Sequence, residues 1–256
     1  MSEKKIDLIA QLLAKAESTT PEEAEALTEH AERLMVKYAI DQAVIDARRA
    51  KEGKARESIV TRIIAFDGTY RDDLMMMGTA IVRALGSMRP LHSKGRQPST
   101  NKMHPNGQPV TRLHIVGFES DVDQAEALIR SLHIQGLIAL KAWWTSERDN
   151  RAHQSSGDQN LARKQFIQGF GQGAGARITE NRNRVIGEAG TGTELVLVDR
   201  AHAVDEWIAG NMSVRSGRSG SRRWDGSAQS AGNHAGRNAN TGERSMTQGR
   251  GLPAGR

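Results

Sequence analysis

The sequence predicts an α+β protein: an N-terminal helical hairpin, then a small, mainly antiparallel sheet with long helices, then a disordered basic tail. Three observations predict it. Apolar residues recur at helical spacing around a capping signal near the N-terminus, β-branched runs near 58–66 and 111–117 alternate with helical patterns, and residues 213–256 are dominated by Gly, Ser and Arg. The expected organisation is a helical hairpin module at 1–50, an α+β domain at 58–212 and a disordered tail at 213–256.

Each element follows in order. Ile6, Ile9, Leu12 or Leu13 and Ala16 mark a first helix. Thr20-Pro21-Glu22-Glu23 then supplies an N-cap hydroxyl, Pro at the first helical position and Glu at the third. Ala24, Leu27, Ala31, Leu34 and Tyr38 share one face of the second helix, and Ile40-Asp41 reads as a stop before a third helix through about Ala50. The charged residues 50–57 fit a linker. Ser58 to Phe66 is a strand bounded by Asp67-Gly68, and Arg71 to Leu85 is a helix ending at Gly86. Thr111 to Gly117 alternates as a second strand, with Met88 to His92 as a candidate hairpin partner. A long helix opens at Ser120-Asp121-Val122-Asp123 and runs through Trp143. After a polar break at 148–160, Ala162, Phe166, Phe170, Ala174 and Ile178 mark another helix. Leu195 to Val198 reads as a short strand or buried turn before a last helix, Arg200 to Ala209.

Composition removes several functions. The 256 residues contain no Cys, so disulfides, thiolate metal sites and a Cys nucleophile are excluded. No apolar run approaches a membrane span, and the N-terminus MSEKKIDLIAQLLAKAES interleaves charges with apolar residues, unlike a signal peptide. A cytoplasmic location with no membrane partner is expected.

The formal charge is +6, and residues 213–256 carry all of it: Arg215, Arg218, Arg222, Arg223, Arg237, Arg244, Arg250 and Arg256 face only Asp225 and Glu243. With few apolar residues to bury, this segment is expected to be an unfolded cationic arm. Within it, the repeat from Ala231 to Ala239 puts small residues four apart, either as a low-complexity spacer or as a close-packing face on binding. A second asymmetry lies between Asp73 and Glu119, where no acid occurs while Arg83, Arg89, Lys94, Arg96, Lys102 and Arg112 do. Pro90, Pro98, Pro105 and Pro109 and the Pro-Asn-Gly turn at 105–107 make the centre of this stretch an expected basic loop.

Leu12-Leu13-Ala14-Lys15-Ala16-Glu17-Ser18-Thr19, Pro21-x-Glu23-Ala24-Glu25-Ala26, Ala31-Glu32-Arg33-Leu34-Met35 and Tyr38-Ala39-Ile40-Asp41 arrive in an order that resembles a bacterial and phage domain of unknown function, the family numbered 2786. Gly117 to Val122 and Phe166 to Phe170 resemble the second domain that often follows it in actinobacterial and phage proteins. The resemblance implies a setting among phages and mobile elements; it transfers no catalytic residue.

The chemistry-bearing candidates are few. Gly169 to Gly175 contains a G-x-G pattern, but it lies inside a helical apolar pattern with no Gly-Lys-Ser/Thr after it, so close helix packing is the expected role. Asp67, Asp72, Asp73, Glu119, Asp121 and Asp123 would suit a magnesium-dependent nuclease if they converged. The histidines show no His-Glu-x-x-His pattern, and Gly-x-Ser-x-Gly is absent. Trp143 is expected in the core, with Trp144 left as a stacking or partner residue. The first expectation is therefore non-enzymatic nucleic-acid binding, without a cofactor, through the tail arginines and the basic loop (Arg89, Lys94, Arg96, Lys102, Arg112), since the guanidinium fork matches a phosphate. A protein-interaction module docking through the N-terminal hairpin is the alternative, and the nuclease is third.

Overall fold

The structure, a computed structural model, describes residues 3–51, 57–98, 106–189, 193–215 and 223–239. The elements are α1 (Glu3–Glu17), α2 (Pro21–Lys51), β1 (Ile59–Phe66), α3 (Arg71–Leu85), β2 (Arg89–Gln97), β3 (Gln108–Phe118), α4 (Glu119–Glu147), α5 (Ser156–Ala189), α6 (Thr193–Asn211) and α7 (Gly226–Arg237). The fold is α+β, with N-terminal helices, one small antiparallel sheet and long helices.

The sheet order is β1-β3-β2, so β3 is the antiparallel partner of both other strands and α3 carries the chain from one edge to the other. Strand alternation divides its side chains. Ile64, Phe66, Leu113 and Ile115 enter one core with α3, α4 and α5, where Met77, Ile81, Leu128, Ile129, Phe166 and Phe170 are fully or nearly fully buried. On the opposite face, Val116 and Phe118 are covered by Val204 and by the half-buried Trp207 and Ile208 of α6. α6 covers only that half of the face.

The N-terminal helices belong to the same core. Ile9 and Leu13 of α1 and Ala31 and Met35 of α2 are buried with the residues above. Thr20 caps α2 as its sequence indicates, accepting a hydrogen bond from the Glu23 amide at 3.4 Å. α2 does not stop at Ile40-Asp41. It is one helix through Lys51, because Val36 and Ile40 continue its buried face against Val185 and Leu197.

Three other expectations are corrected. The basic stretch from Arg89 to Arg112 is mostly a paired hairpin and not a loop, since β2 and β3 are in register from Arg89↔Val116 to Gln97↔Gln108. Its prolines are tolerated because β2 is an edge strand, and Pro109 lies past the end of β1, where β3 has a single neighbour. Leu195 to Val198 is helical within α6, where Leu197, Arg200 and Val204 form a buried i, i+3, i+7 face that overrides β-branched propensity.

Nor is the whole of 213–256 an unfolded arm. Gly226–Arg237 is a helix, capped by Asp225, whose carboxylate accepts from the Ala228 amide at 3.0 Å. α7 lies parallel to α5 with almost no side chain between them. A β-carbon at Gly169 or Gly173 would strike the carbonyl of Gln229 or Asn233, and one at Gly232 or Gly236 would strike that of Phe166 or Phe170. Dispersion between two bare backbones replaces the apolar side chains that α7 lacks. On the other side of α5, a β-carbon at Gly171 would lie 2.6 Å from the Met77 α-carbon, so the glycine run seats α3 as well.

Candidate nucleic-acid interface

The acids separate cleanly. Asp67, Asp72 and Asp73 follow β1, while Glu119, Asp121 and Asp123 follow β3, and the antiparallel pairing puts those two points at opposite ends of the sheet. The eight residues of β1 hold them roughly 25 Å apart. Partners also occupy them. Asp72 receives Lys94 Nζ at 3.0 Å, Asp73 receives Gln168 at 2.6 Å, Asp121 receives Arg200 at 3.0 Å and Asp123 receives Arg62 at 2.5 Å. Among the described residues, no three His, Asp or Glu side chains gather as a metal site.

The cations of the β2–β3 hairpin fall on two faces. Arg89 makes a bidentate pair with Asp205 of α6 at 2.6 and 2.7 Å, and Lys94 pairs with Asp72. Arg96 donates to the Gly107 carbonyl at 3.0 Å. Arg112 differs: among the described residues, no carboxylate pairs with it. Its guanidinium lies across β2 at Gly95, where a β-carbon would come within 2.6 Å of Nη1. Beside it, Ser93 Oγ and His114 Nε2 are hydrogen-bonded at 2.9 Å. Partial burial, the Arg112 charge and His92 together hold His114 below the ordinary histidine range, which keeps the ring neutral at pH 7.

The tail arginines are split. Arg215 is exposed after the end of α6. Arg223 pairs with Asp158, and Arg237 with Glu180 at 3.1 Å, so these two fasten α7 to α5. Lys102, Arg218, Arg222 and Arg244 lie outside the described residues. Trp143 stacks on Phe166 with centroids 4.8 Å apart, and Trp144 carries the Arg163 guanidinium at 4.7 Å.

One cluster takes only Asp121 from the sequence candidates and joins it to residues the sequence did not single out. Buried Arg200 sits 3.8 Å over the Phe118 ring and bonds Asp121 at 3.0 Å and Glu57 at 2.7 Å. Glu57 also accepts from the Ser120 amide at 2.6 Å. Burial raises the Asp121 carboxyl despite Arg200, whereas at Glu57 burial is outweighed by Arg200 and Ser120, which hold it low. The adjoining cavity, lined by Met35, Leu85, Gln124 and Leu197, measures about 30 Å³, room for a water molecule and no substrate. The cluster therefore ties β1, α4 and α6 together. Its traces in the sequence are Asp121 at the start of α4 and an arginine on the buried face of α6.

Residues 4–42 match the family described as Protein of unknown function (DUF2786). The DUF2786 match spans α1 and α2 as far as Gln42 and includes the buried Ile9, Leu13, Ala31, Met35 and Ile40, so it covers the helical face that packs on the rest of the chain. No significant match is found among curated proteins or among solved structures. Among the described residues, no helix is long and apolar enough to cross a membrane.

Proposed function

We propose that the protein is a non-enzymatic, largely sequence-independent nucleic-acid-binding accessory protein of a phage or mobile element, acting in the cytoplasm. The observation that carries this reading is the β2–β3 ribbon. It extends past the end of β1 at Thr111, contains no acid, and presents Arg96 and Arg112 without a carboxylate partner among the described residues. A two-stranded ribbon fits a nucleic-acid groove, and its cations replace counterions on phosphate. Lys94 is held by a single partly exposed ion pair, which contributes little and exchanges readily for phosphate, whereas Arg89 is fixed by its bidentate pair with Asp205 and by the Gly86 and Met88 carbonyls. Arg215, with Arg218, Arg222, Arg244, Arg250 and Arg256 of the sequence, extends the positive charge.

A protein-interaction reading rests on a different observation: Ile134 and Ile138 of α4 and Leu8 of α1 are exposed at 46%, 64% and 40% on neighbouring helices. A mobility-shift titration of the full chain with DNA and RNA at several salt concentrations, with and without magnesium, separates the two. Nucleic-acid binding gives a log–log salt slope of about −5 to −7, reduced by about 2 in the double variant Arg96→Ala/Arg112→Ala. No shift at about 50 mM salt would remove this reading and leave the interaction surface.

A further inference from the structure

We infer that the part of the outer sheet face that α6 leaves open around Ile63 and Ala65 binds a single strand of nucleic acid, with Arg112 on a phosphate and the bases lying against Ile63, Ala65 and His114. This rests on the nucleic-acid reading above and names the form of its ligand.

The register places Ile63 and Ala65 of β1, Arg112 and His114 of β3, and Ser93 and Gly95 of β2 side by side on this face. No strand residue on this face is acidic, whereas on the other face Arg62 is matched by Asp123 and Lys94 by Asp72. α6 covers Val116 and Phe118 and leaves Ile63 51% exposed at the centre of its strand. An apolar side chain and a neutral imidazole, beside a guanidinium with no carboxylate partner among the described residues, make a surface for unstacked bases and their backbone. Ser93 adds a hydroxyl next to His114. A duplex hides its base faces, and at Arg112 the sheet is three strands wide, with Ala65 and Ser93 on either side, broader than the two-stranded ribbon that a groove admits, so this face favours a single strand. Gly95 is the positioning residue: the missing β-carbon is what lets the Arg112 guanidinium, Nη1 foremost, approach β2 there.

The test is fluorescence anisotropy of the full chain with labelled oligo-dT and oligo-U of about 15 nucleotides and a duplex of the same length. Both single strands should bind at least about 10-fold tighter than the duplex. Arg112→Ala should weaken single-strand binding about 10-fold. Gly95→Ala, which displaces the guanidinium without changing net charge, should weaken it about 3-fold while thermal melts show the fold intact. The Arg112→Lys variant, which keeps the charge but loses the planar fork, should fall between wild type and Arg112→Ala. Duplex binding tighter than single-strand binding, or Arg112→Ala and Gly95→Ala binding single strands like wild type, would overturn this inference and leave the general reading standing. Failure of the intact protein to bind any of the three probes would remove both.

Discussion

Arg177 of α5 reaches 145 residues back along the chain to Glu32 of α2, and the two side chains meet at 2.5 Å with 5% and 2% of their surface exposed. Asn181 bonds the other Glu32 oxygen at 3.0 Å, and Arg177 also donates to the Ala239 carbonyl just past α7. One buried pair thus joins the N-terminal hairpin, the central helix and the last helix. Glu32→Ala leaves Arg177 buried without its counter-charge and should cost about 3–5 kcal/mol in urea denaturation. A cost below about 1 kcal/mol would show the pair to be solvated.

Glycines of α5 should respond in opposite directions. Gly173→Ala drives a methyl group into the backbone of α7, which cannot move aside like a side chain, and should destabilise by at least about 1–3 kcal/mol. Gly187, in the same helix, has nothing within 4 Å of a β-carbon, so Gly187→Ala should stabilise by about 0.5–1 kcal/mol. Thermal melts compare the two, and equal effects would contradict the bare-backbone contact.

α7 should detach in acid. Burial pushes the Asp225 carboxyl up, but the Ala228 amide, Arg151 and the Ser227 hydroxyl outweigh it and hold it below the ordinary range. A lowered native pKa stabilises the folded form above the unfolded value of about 3.9, and this contribution is lost as pH falls through the native value. Amide-exchange protection of α7 should therefore persist at pH 5 to 7 and decline below about pH 4. Asp225→Ala should weaken it at pH 5 to 7, by about 1–2 kcal/mol, and the variant and wild type should converge in acid, where the carboxylate is protonated in both the folded and the unfolded form.

His114 reports where Arg112 points. Burial first, then Arg112 and His92, depress its pKa, so titration followed by nuclear magnetic resonance should give a midpoint below about 6.5. In Arg112→Ala the midpoint should rise but stay below that value, because burial persists. Its native depression favours the folded protein above the unfolded value and is lost as pH falls through the native midpoint. An unmoved midpoint would place the guanidinium elsewhere.

Much of this architecture was legible residue by residue. The capping hydroxyl of Thr20, the β-branched run of β1, the Gly86 stop after α3 and the long apolar spacing of α4 act locally, and local signals survive in a linear pattern. What escaped depends on neighbours distant in sequence. The first part of β2, within Met88 to His92, was legible as a hairpin partner, but Ser93 to Gln97, with Gly95 and polar residues, read as a loop until β3 supplied its single partner. α7 has so few apolar side chains that a hydrophobicity argument calls it unfolded, since a glycine face gains its contacts only when another glycine face meets it. The basic residues of the hairpin were visible as a group, but their difference was not. Arg89 and Lys94 prove to be countered by Asp205 and Asp72, and Arg112 stands apart only once the register sets it over Gly95.

The position of β3 between β1 and β2 also dictates the order in which a growing polypeptide acquires its shape. Neither edge strand pairs with the other, so until β3 has left the ribosome, β1 and β2 have no sheet to join. The sheet closes only when β3 appears, and α7, which follows α5 in the chain, cannot take its seat until it too has left the exit tunnel. For that interval the apolar residues of β1 and α3 are uncovered, which makes vectorial synthesis the period of greatest exposure to chaperones and proteases.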